Sequence, residues 1–185
     1  MPEPRKALFR CDASASIGGG HVMRCLTLAT EMKSRGWSVS FATTAESGEA
    51  VAALPQSGFP VHLLSDPTDP GQIVDLLTDA PVDVTVVDHY GLDARYEMAL
   101  RPITGQIAVL DDLPGRPHDC DLLVDQTFER DQEDYAGIVP RHTMLLTGSD
   151  HALLRAPFAR LRSASLARRQ AGRVDRILVA LGVRD

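Results

Sequence analysis

Cysteine is scarce in this 185-residue chain. Cys11, Cys25 and Cys120 form an odd set without a Cys-x-x-Cys pair. That argues against a disulfide framework and for reduced thiols in the cytoplasm. Long apolar runs are also missing. No stretch approaches the ~20 residues of a membrane span, and residues 1–6 lead straight into a strand rather than a leader's apolar region. The expectation is a soluble, cytoplasmic protein with no membrane partner. Basic residues are in deficit, 19 Lys and Arg against 25 Asp and Glu for a net charge of −6. Nucleic acid is therefore not expected as a partner. The local exception is Arg155, Arg160, Arg162, Arg168, Arg169, Arg173, Arg176 and Arg184, which read as a solvated helix face and linker. Nucleotide fingerprints are absent as well. With Gly18 and Gly20 as the first glycines of G-x-G-x-x-G, the third position falls on Met23, and no Gly-Lys-Ser/Thr follows for a P-loop.

What is present is an ordinary globular composition, 44% hydrophobic and 24% charged, long enough to build a core without disulfides or metals. Residues 7–11 read as a short buried strand. From 21 to 35, Val22, Cys25, Leu26, Ala29 and Met32 follow helical spacing, and Gly36 stands where a C-cap glycine belongs. Further strands are expected at 37–43, 61–64, 82–87 and 106–110, with helices at 46–56, 71–78 and 93–100. This alternation through short connections indicates an α/β fold, a Rossmann-like parallel sheet with helices on both faces. Past residue 112 the rhythm loosens. Short strands are expected at 122–124 and 144–146, and a helix at 156–170 with Pro157 early, where its missing N–H costs least. Residues 171–173 read as a linker. Residues 176–182 read as a buried strand that either pairs into the first sheet or opens a second domain.

In open α/β sheets, ligands bind at the carboxyl ends of the strands, and three groups of residues fall there. The first is Asp12, Ser14, Ser16 and the glycines Gly18, Gly19 and Gly20 leading to His21. A helix N-terminus favours anions, and an imidazole moves protons near neutral pH. His21 therefore reads either as a general base or as a capping histidine. The second group is Asp88-His89-Tyr90-Gly91. Asp88 would orient His21, hold a sugar hydroxyl or bond a neighbouring turn, while His89 and Tyr90 would line the pocket. The third is Asp111-Asp112, whose side chains point to opposite sides of an extended backbone. His118 and Cys120 lie near in sequence, but a lone His-x-Cys pair is poor metal spacing, and no metal is expected. Cys11 and Cys25 suit buried strand and helix positions better than a nucleophile's.

These residues resemble a known family. Phe9-Arg10-Cys11-Asp12 followed by Ile17-Gly18-Gly19-Gly20-His21-Val22-Met23-Arg24 is similar to the N-terminal signature Phe-Arg-x-Asp-x4-Ile-Gly-x-Gly-His-x-x-Arg of the UDP-2,4-diacetamido-2,4,6-trideoxy-β-L-altropyranose hydrolase family. Val87-Asp88-His89-Tyr90-Gly91, Leu110-Asp111-Asp112 and residues 151–158 resemble three further motifs of that family. The resemblance implies a glycosyltransferase-B type architecture, two Rossmann-like domains facing across a cleft. It implies hydrolysis of a UDP-activated amino sugar at the anomeric carbon, with inversion and without metal or cofactor, in pseudaminic acid biosynthesis and flagellin glycosylation. His21 takes the place of the catalytic histidine. Asp12, Ser14, Gly18, Gly20, Asp88, His89, Tyr90 and Asp112 are expected to bind substrate. His151 and Pro157 depart from the fourth motif, where an aromatic and an acidic residue are usual. Leu181-Gly182-Val183-Arg184-Asp185 resembles the start of the second domain but lacks its second glycine. On this reading, residues 1–172 form the sugar-binding domain carrying the base, and 173–185 a linker and the first strand of a truncated second domain. The chain would then be inactive without that domain, supplied in cis or by a split partner. The rival readings are a glycosyltransferase of the same architecture and a non-catalytic complementation module.

Overall fold

Seven parallel strands form one sheet in the order β3-β2-β1-β4-β5-β6-β7 in the computed structural model, which describes residues 3–170, 172 and 176–179. The elements run β1 (Lys6–Cys11), α1 (Gly20–Ser34), β2 (Ser38–Thr43), α2 (Ala45–Ala50), α3 (Ala53–Gln56), β3 (Val61–Leu63), α4 (Gly71–Leu77), β4 (Val82–Asp88), α5 (Ala94–Leu100), β5 (Thr104–Leu110), β6 (Leu122–Asp125), β7 (Met144–Thr147) and α6 (Ala156–Arg169). β1 pairs with β2 on one side and β4 on the other, both in parallel register. The chain therefore winds outward in one direction from β1, then returns to β1's other edge. This reversal between β1 and β4 opens a crevice at their carboxyl ends.

The sheet separates two apolar cores, as a parallel sheet covered on both faces must. Successive β1 side chains go to opposite sides: Phe9 and Cys11 pack with Val22, Cys25 and Phe41, and Leu8 with Ile73, Leu100 and Ile107. α1 buries Val22, Cys25, Leu26 and Ala29, the i, i+3, i+4, i+7 stripe read from the sequence. Gly36 ends it at φ +87°. Its N–H donates to the Lys33 carbonyl at 3.0 Å and that of Trp37 to Met32 at 3.1 Å, a pairing that requires the left-handed turn.

Two expectations change. The helix expected at 46–56 is two short helices broken at Val51, which is buried at φ −128°, ψ 87°. Pro55 explains the break. It has no N–H for the Val51 carbonyl and its ring would crowd that carbonyl in a continuous helix; the Leu54 N–H bonds Val51 instead, at 2.9 Å. The strand expected at 176–182 does not join the sheet over its described part. Residues 176–179 have no regular structure and Ile177, Leu178 and Val179 are exposed. The rest of that strand, and most of the boundary at 172/173, lies outside the described residues. α6 buries none of its residues, as a solvated helix face should. Among the described residues, no helix is long and apolar enough to cross a membrane.

A buried polar network braces β5 and β6 below the crevice. Glu97 accepts from the backbone N–H of Asp119 at 2.6 Å and pairs with His118 Nδ1 at 2.7 Å. His118 Nε2 stands 3.5 Å from Asp111 Oδ2, near enough for charge attraction without an aligned hydrogen bond. Arg116 bonds Asp111 Oδ1 at 2.8 Å; Tyr135 and Arg130 bond Asp125 at 2.8 and 2.5 Å. Burial alone would lower the His118 pKa, but Asp111 and Glu97 outweigh it and push it up to about 9. Because the folded protein holds this proton more tightly than an unfolded chain, the stabilisation is complete below about pH 6.5 and is lost as pH rises through about 9. Urea unfolding between pH 6.5 and 9.5 should show stability falling by on the order of 2–3 kcal/mol. His118→Gln should flatten that slope, and a wild-type stability that does not change over this range would contradict the pairing.

Candidate active site

Cys11 and Asp88 are register partners at the ends of β1 and β4, so the segments leaving the two strands start side by side. Asp12, the first residue past β1, is buried, and its carboxylate is fully engaged by the scaffold. Oδ1 accepts from Thr43 Oγ1 and the Thr44 N–H, both at 2.9 Å, and Oδ2 from Arg10 Nη2 at 2.7 Å. Burial pushes the Asp12 carboxyl up, but Arg10, Thr44 and Thr43 together hold it below the usual carboxylate range. The loop then closes on itself. Ser14 Oγ accepts from the N–H groups of Ser16 and Ile17, both at 3.1 Å, and the Gly18 N–H donates to the Ser14 carbonyl at 2.8 Å. Gly18 sits at φ +77°, where a side chain would strain the turn. Gly19 caps α1 without a side-chain bond, and the position of a Cβ on Gly20 is open space.

The first turn of α1 carries His21 against the end of β4. His21 Nδ1 lies 2.5 Å from Asp88 Oδ1, and Asp88 is fully buried. Arg24, one turn further along α1, forks onto the same carboxylate, Nε to Oδ2 at 2.6 Å and Nη2 to Oδ1 at 2.7 Å. Its Nη1 reaches Asp112 Oδ2 at 2.8 Å. The Cys25 thiol also donates to Asp88, at 3.4 Å. Burial pushes the Asp88 carboxyl up, but the Arg24 and His21 bonds and charges prevail and hold it below the usual range. A carboxylate at Asp88 makes Nδ1 the protonated nitrogen of His21. The side-chain contacts of the ring run through Nδ1, and Nε2 has no hydrogen-bond partner among the described residues.

Tyr90 packs edge-on against the His21 ring at 4.4 Å between centroids. Burial and Asp112 push its phenol up to about 12, so it is a neutral donor at the rim. Asp112 keeps Oδ1 buried and without a hydrogen-bond partner. His89 accepts the Gly91 N–H on Nδ1 at 3.0 Å and faces Asp12 Oδ2 with Nε2 at 3.5 Å. Burial, reinforced by the Arg10 charge, lowers it to about 4, so the ring is neutral at pH 7. Beside these groups, Gly20, Met23, Arg24 and Thr27 of α1 face Leu153, Leu154, Arg155 and Phe158 across a groove of about 180 Å³.

His21, Asp88, Tyr90 and Asp112 thus converge on one cleft, with His89 at its edge and Gly20 at its mouth. Asp12, Ser14 and Gly18 shape the loop beneath. Asp111 points away from Asp112 into the network around His118, as alternating extended residues should. Among the described residues, no group of three or more His, Cys, Asp or Glu is placed to hold a metal ion. The role of Arg24 is the feature that sequence reasoning missed. Its partners lie 64 and 88 residues away, and the available signals were its place as the last residue of the Gly-His-x-x-Arg signature and its i+3 spacing from His21 on the same helix.

No protein-family model matches the chain. Over 153 residues, 83% of its length, the chain is 31% identical to UDP-2,4-diacetamido-2,4,6-trideoxy-β-L-altropyranose hydrolase of Campylobacter jejuni, with 53% of that protein covered. It is 23% identical over 176 residues to an uncharacterized protein of Methanocaldococcus jannaschii, with 36% of it covered. The chain therefore spans about half the length, or less, of these curated relatives. The crystal structure of Acinetobacter baumannii MurG superposes with a TM-score of 0.50 at 13% identity, covering 77% of this chain and 44% of that one; this likeness shows the Rossmann-like fold alone. The chain is thus similar, over 83% of its own length, to about half of the UDP-2,4-diacetamido-2,4,6-trideoxy-β-L-altropyranose hydrolase of Campylobacter jejuni.

Proposed function

We propose that this protein hydrolyses a UDP-linked diacetamido-trideoxy sugar, with His21 activating the attacking water. The observation that carries this reading is the His21 ring itself, anchored through Nδ1 on a buried carboxylate with Nε2 unpartnered at the crevice between β1 and β4. In an inverting displacement, water attacks the anomeric carbon from the face opposite the leaving group. His21 Nε2 takes a proton from that water as the C–O bond to UDP breaks, leaving free sugar and UDP. UDP is already a good leaving group and needs charge stabilisation more than protonation. Tyr90 as a neutral donor and Asp112 through its unpaired Oδ1 are suited to hydroxyl and amide groups of the sugar. His89 lines the edge, and Ser14, Gly18 and Gly20 leave room for the sugar above the loop. Asp12 acts indirectly, by fixing that loop. The UDP contacts and full activity belong to a second domain, in cis or as a partner, consistent with the half-length match to the relatives. The free, buried thiols Cys11, Cys25 and Cys120 suit a reducing cytoplasm. The product would serve pseudaminic acid synthesis and flagellin glycosylation.

Two outcomes are expected. The protein with its second domain should release UDP from the UDP-linked 2,4-diacetamido-2,4,6-trideoxy-L-altrose without an acceptor, giving the inverted anomer by proton NMR. His21→Ala should slow release by about 10²–10⁴-fold. Release only when an acceptor sugar or lipid is supplied, or an unchanged rate in His21→Ala, would overturn the reading. Asp12→Ala strands the buried Arg10 charge and should cost about 3–5 kcal/mol in urea unfolding. A loss below about 1 kcal/mol would show that Asp12 is not a scaffold residue.

A further inference from the structure

We infer that Arg24 is a positioning residue that takes up the charge of Asp88 and so keeps His21 an unprotonated base at neutral pH. This rests on reading His21 as the base. A buried histidine that shares a carboxylate with nothing else tends to become an imidazolium, because the ion pair is the favoured state in a low-dielectric site. The same molecule contains a case close to it. His118 faces two carboxylates, Asp111, which Arg116 bonds at 2.8 Å, and Glu97, which no arginine bonds among the described residues, and its pKa is pushed up to about 9. His21 has the opposite arrangement. Both oxygens of Asp88 are held by the Arg24 fork, and Arg24 Nη2 stands 3.3 Å from His21 Nδ1. A proton added to the His21 ring would place two cations against one carboxylate. The guanidinium keeps its charge throughout the accessible range, its pKa raised further by Asp88 and Asp112 against the effect of burial.

The other groups around His21 leave this balance with Arg24. From β4 and its turn come Asp88, already paired, His89, neutral at pH 7, and the neutral Tyr90. From the end of β5 comes Asp112, which Arg24 Nη1 also neutralises. From β1 come the Cys11 thiol beside Asp88, and Asp12, whose charge is paired with Arg10. On its own helix, the Cys25 thiol is held protonated, pushed well above its ordinary pKa by burial. Arg24 is thus the cation whose charge sets the proton affinity of His21, and the fork geometry aims that charge at both Asp88 oxygens.

Ring ¹⁵N shifts of His21, followed from pH 5 to 9 and identified by their loss in His21→Ala, test this directly. In the wild type the ring should be neutral at pH 7, with Nε2 unprotonated. In Arg24→Gln the protonation midpoint should rise by about one pH unit or more, while Arg24→Lys, which keeps the charge, should stay within about half a unit. In turnover, the acid limb of kcat/KM should move up with the ring in Arg24→Gln, costing about tenfold in rate below the limb. Arg24→Lys should keep the wild-type limb with a lower kcat. An unchanged midpoint in Arg24→Gln, with activity reduced equally at every pH, would make Arg24 a scaffold residue and overturn the inference. So would a wild-type ring doubly protonated at pH 7, a result that needs no variant to fold. Failure to hydrolyse the UDP-sugar would overturn the proposed function, and the ring titration would still decide the role of Arg24.

Discussion

The Asp88 carboxylate is fully buried at the end of the central strand β4 and receives four side-chain hydrogen bonds, from His21 Nδ1, Arg24 Nε, Arg24 Nη2 and the Cys25 thiol. An ionised carboxylate survives there because the donors replace the water it has lost. All four come from one turn of α1, so the same bonds that keep Asp88 charged dock the start of that helix against the sheet. The crevice between β1 and β4, the orientation of His21 and the placement of Asp112 all follow from this contact. The loop from Asp12 to Gly19 must deliver the helix at the right height. Its own bonds to Thr43, Thr44 and Arg10, and the left-handed turn at Gly18, fix it for that purpose.

Two buried histidines in one small fold are put to different uses by their partners. His118 sits between carboxylates and holds its proton, which joins β5, α5 and the loop after β5 into a rigid base below the cleft. His21 shares its carboxylate with a guanidinium, and its contacts to that pair run through Nδ1. Burial alone does not distinguish them, since both are about 4% exposed. The count of carboxylates does: His118 faces two, of which Arg116 bonds only Asp111, whereas His21 faces Asp88, with both of its oxygens held by Arg24.

The sequence was most legible where structure is local. The β-branched run at 82–87, the stripe from Val22 to Ala29 and the glycine at 36 each declare an element through contacts a few residues apart. Even the failure at 46–56 was local, since Pro55 marks the carbonyl that a continuous helix could not satisfy. The convergence of His21, Asp88 and Asp112 was legible through strand-end positions and the resemblance of their motifs. The strand order that makes β1 and β4 neighbours was not. The buried pairings of Arg10 and Arg24, although both stand in the quoted signature, and of Glu97 were illegible for a related reason. An arginine on a strand or a glutamate on a short helix has no periodicity that separates a solvated charge from a buried one. Their partners lie on other elements, and only the folded register brings them together.

On the proposed mechanism, His21 Nε2 handles the water that replaces UDP. In the free-sugar product, the anomeric hydroxyl oxygen is that former water. A crystal structure of the protein with 2,4-diacetamido-2,4,6-trideoxy-L-altrose bound should therefore show the anomeric oxygen within about 3 Å of His21 Nε2, with His21 Nδ1 still on Asp88. A sugar seated in the cleft with its anomeric oxygen on another group, and Nε2 facing solvent, would contradict it.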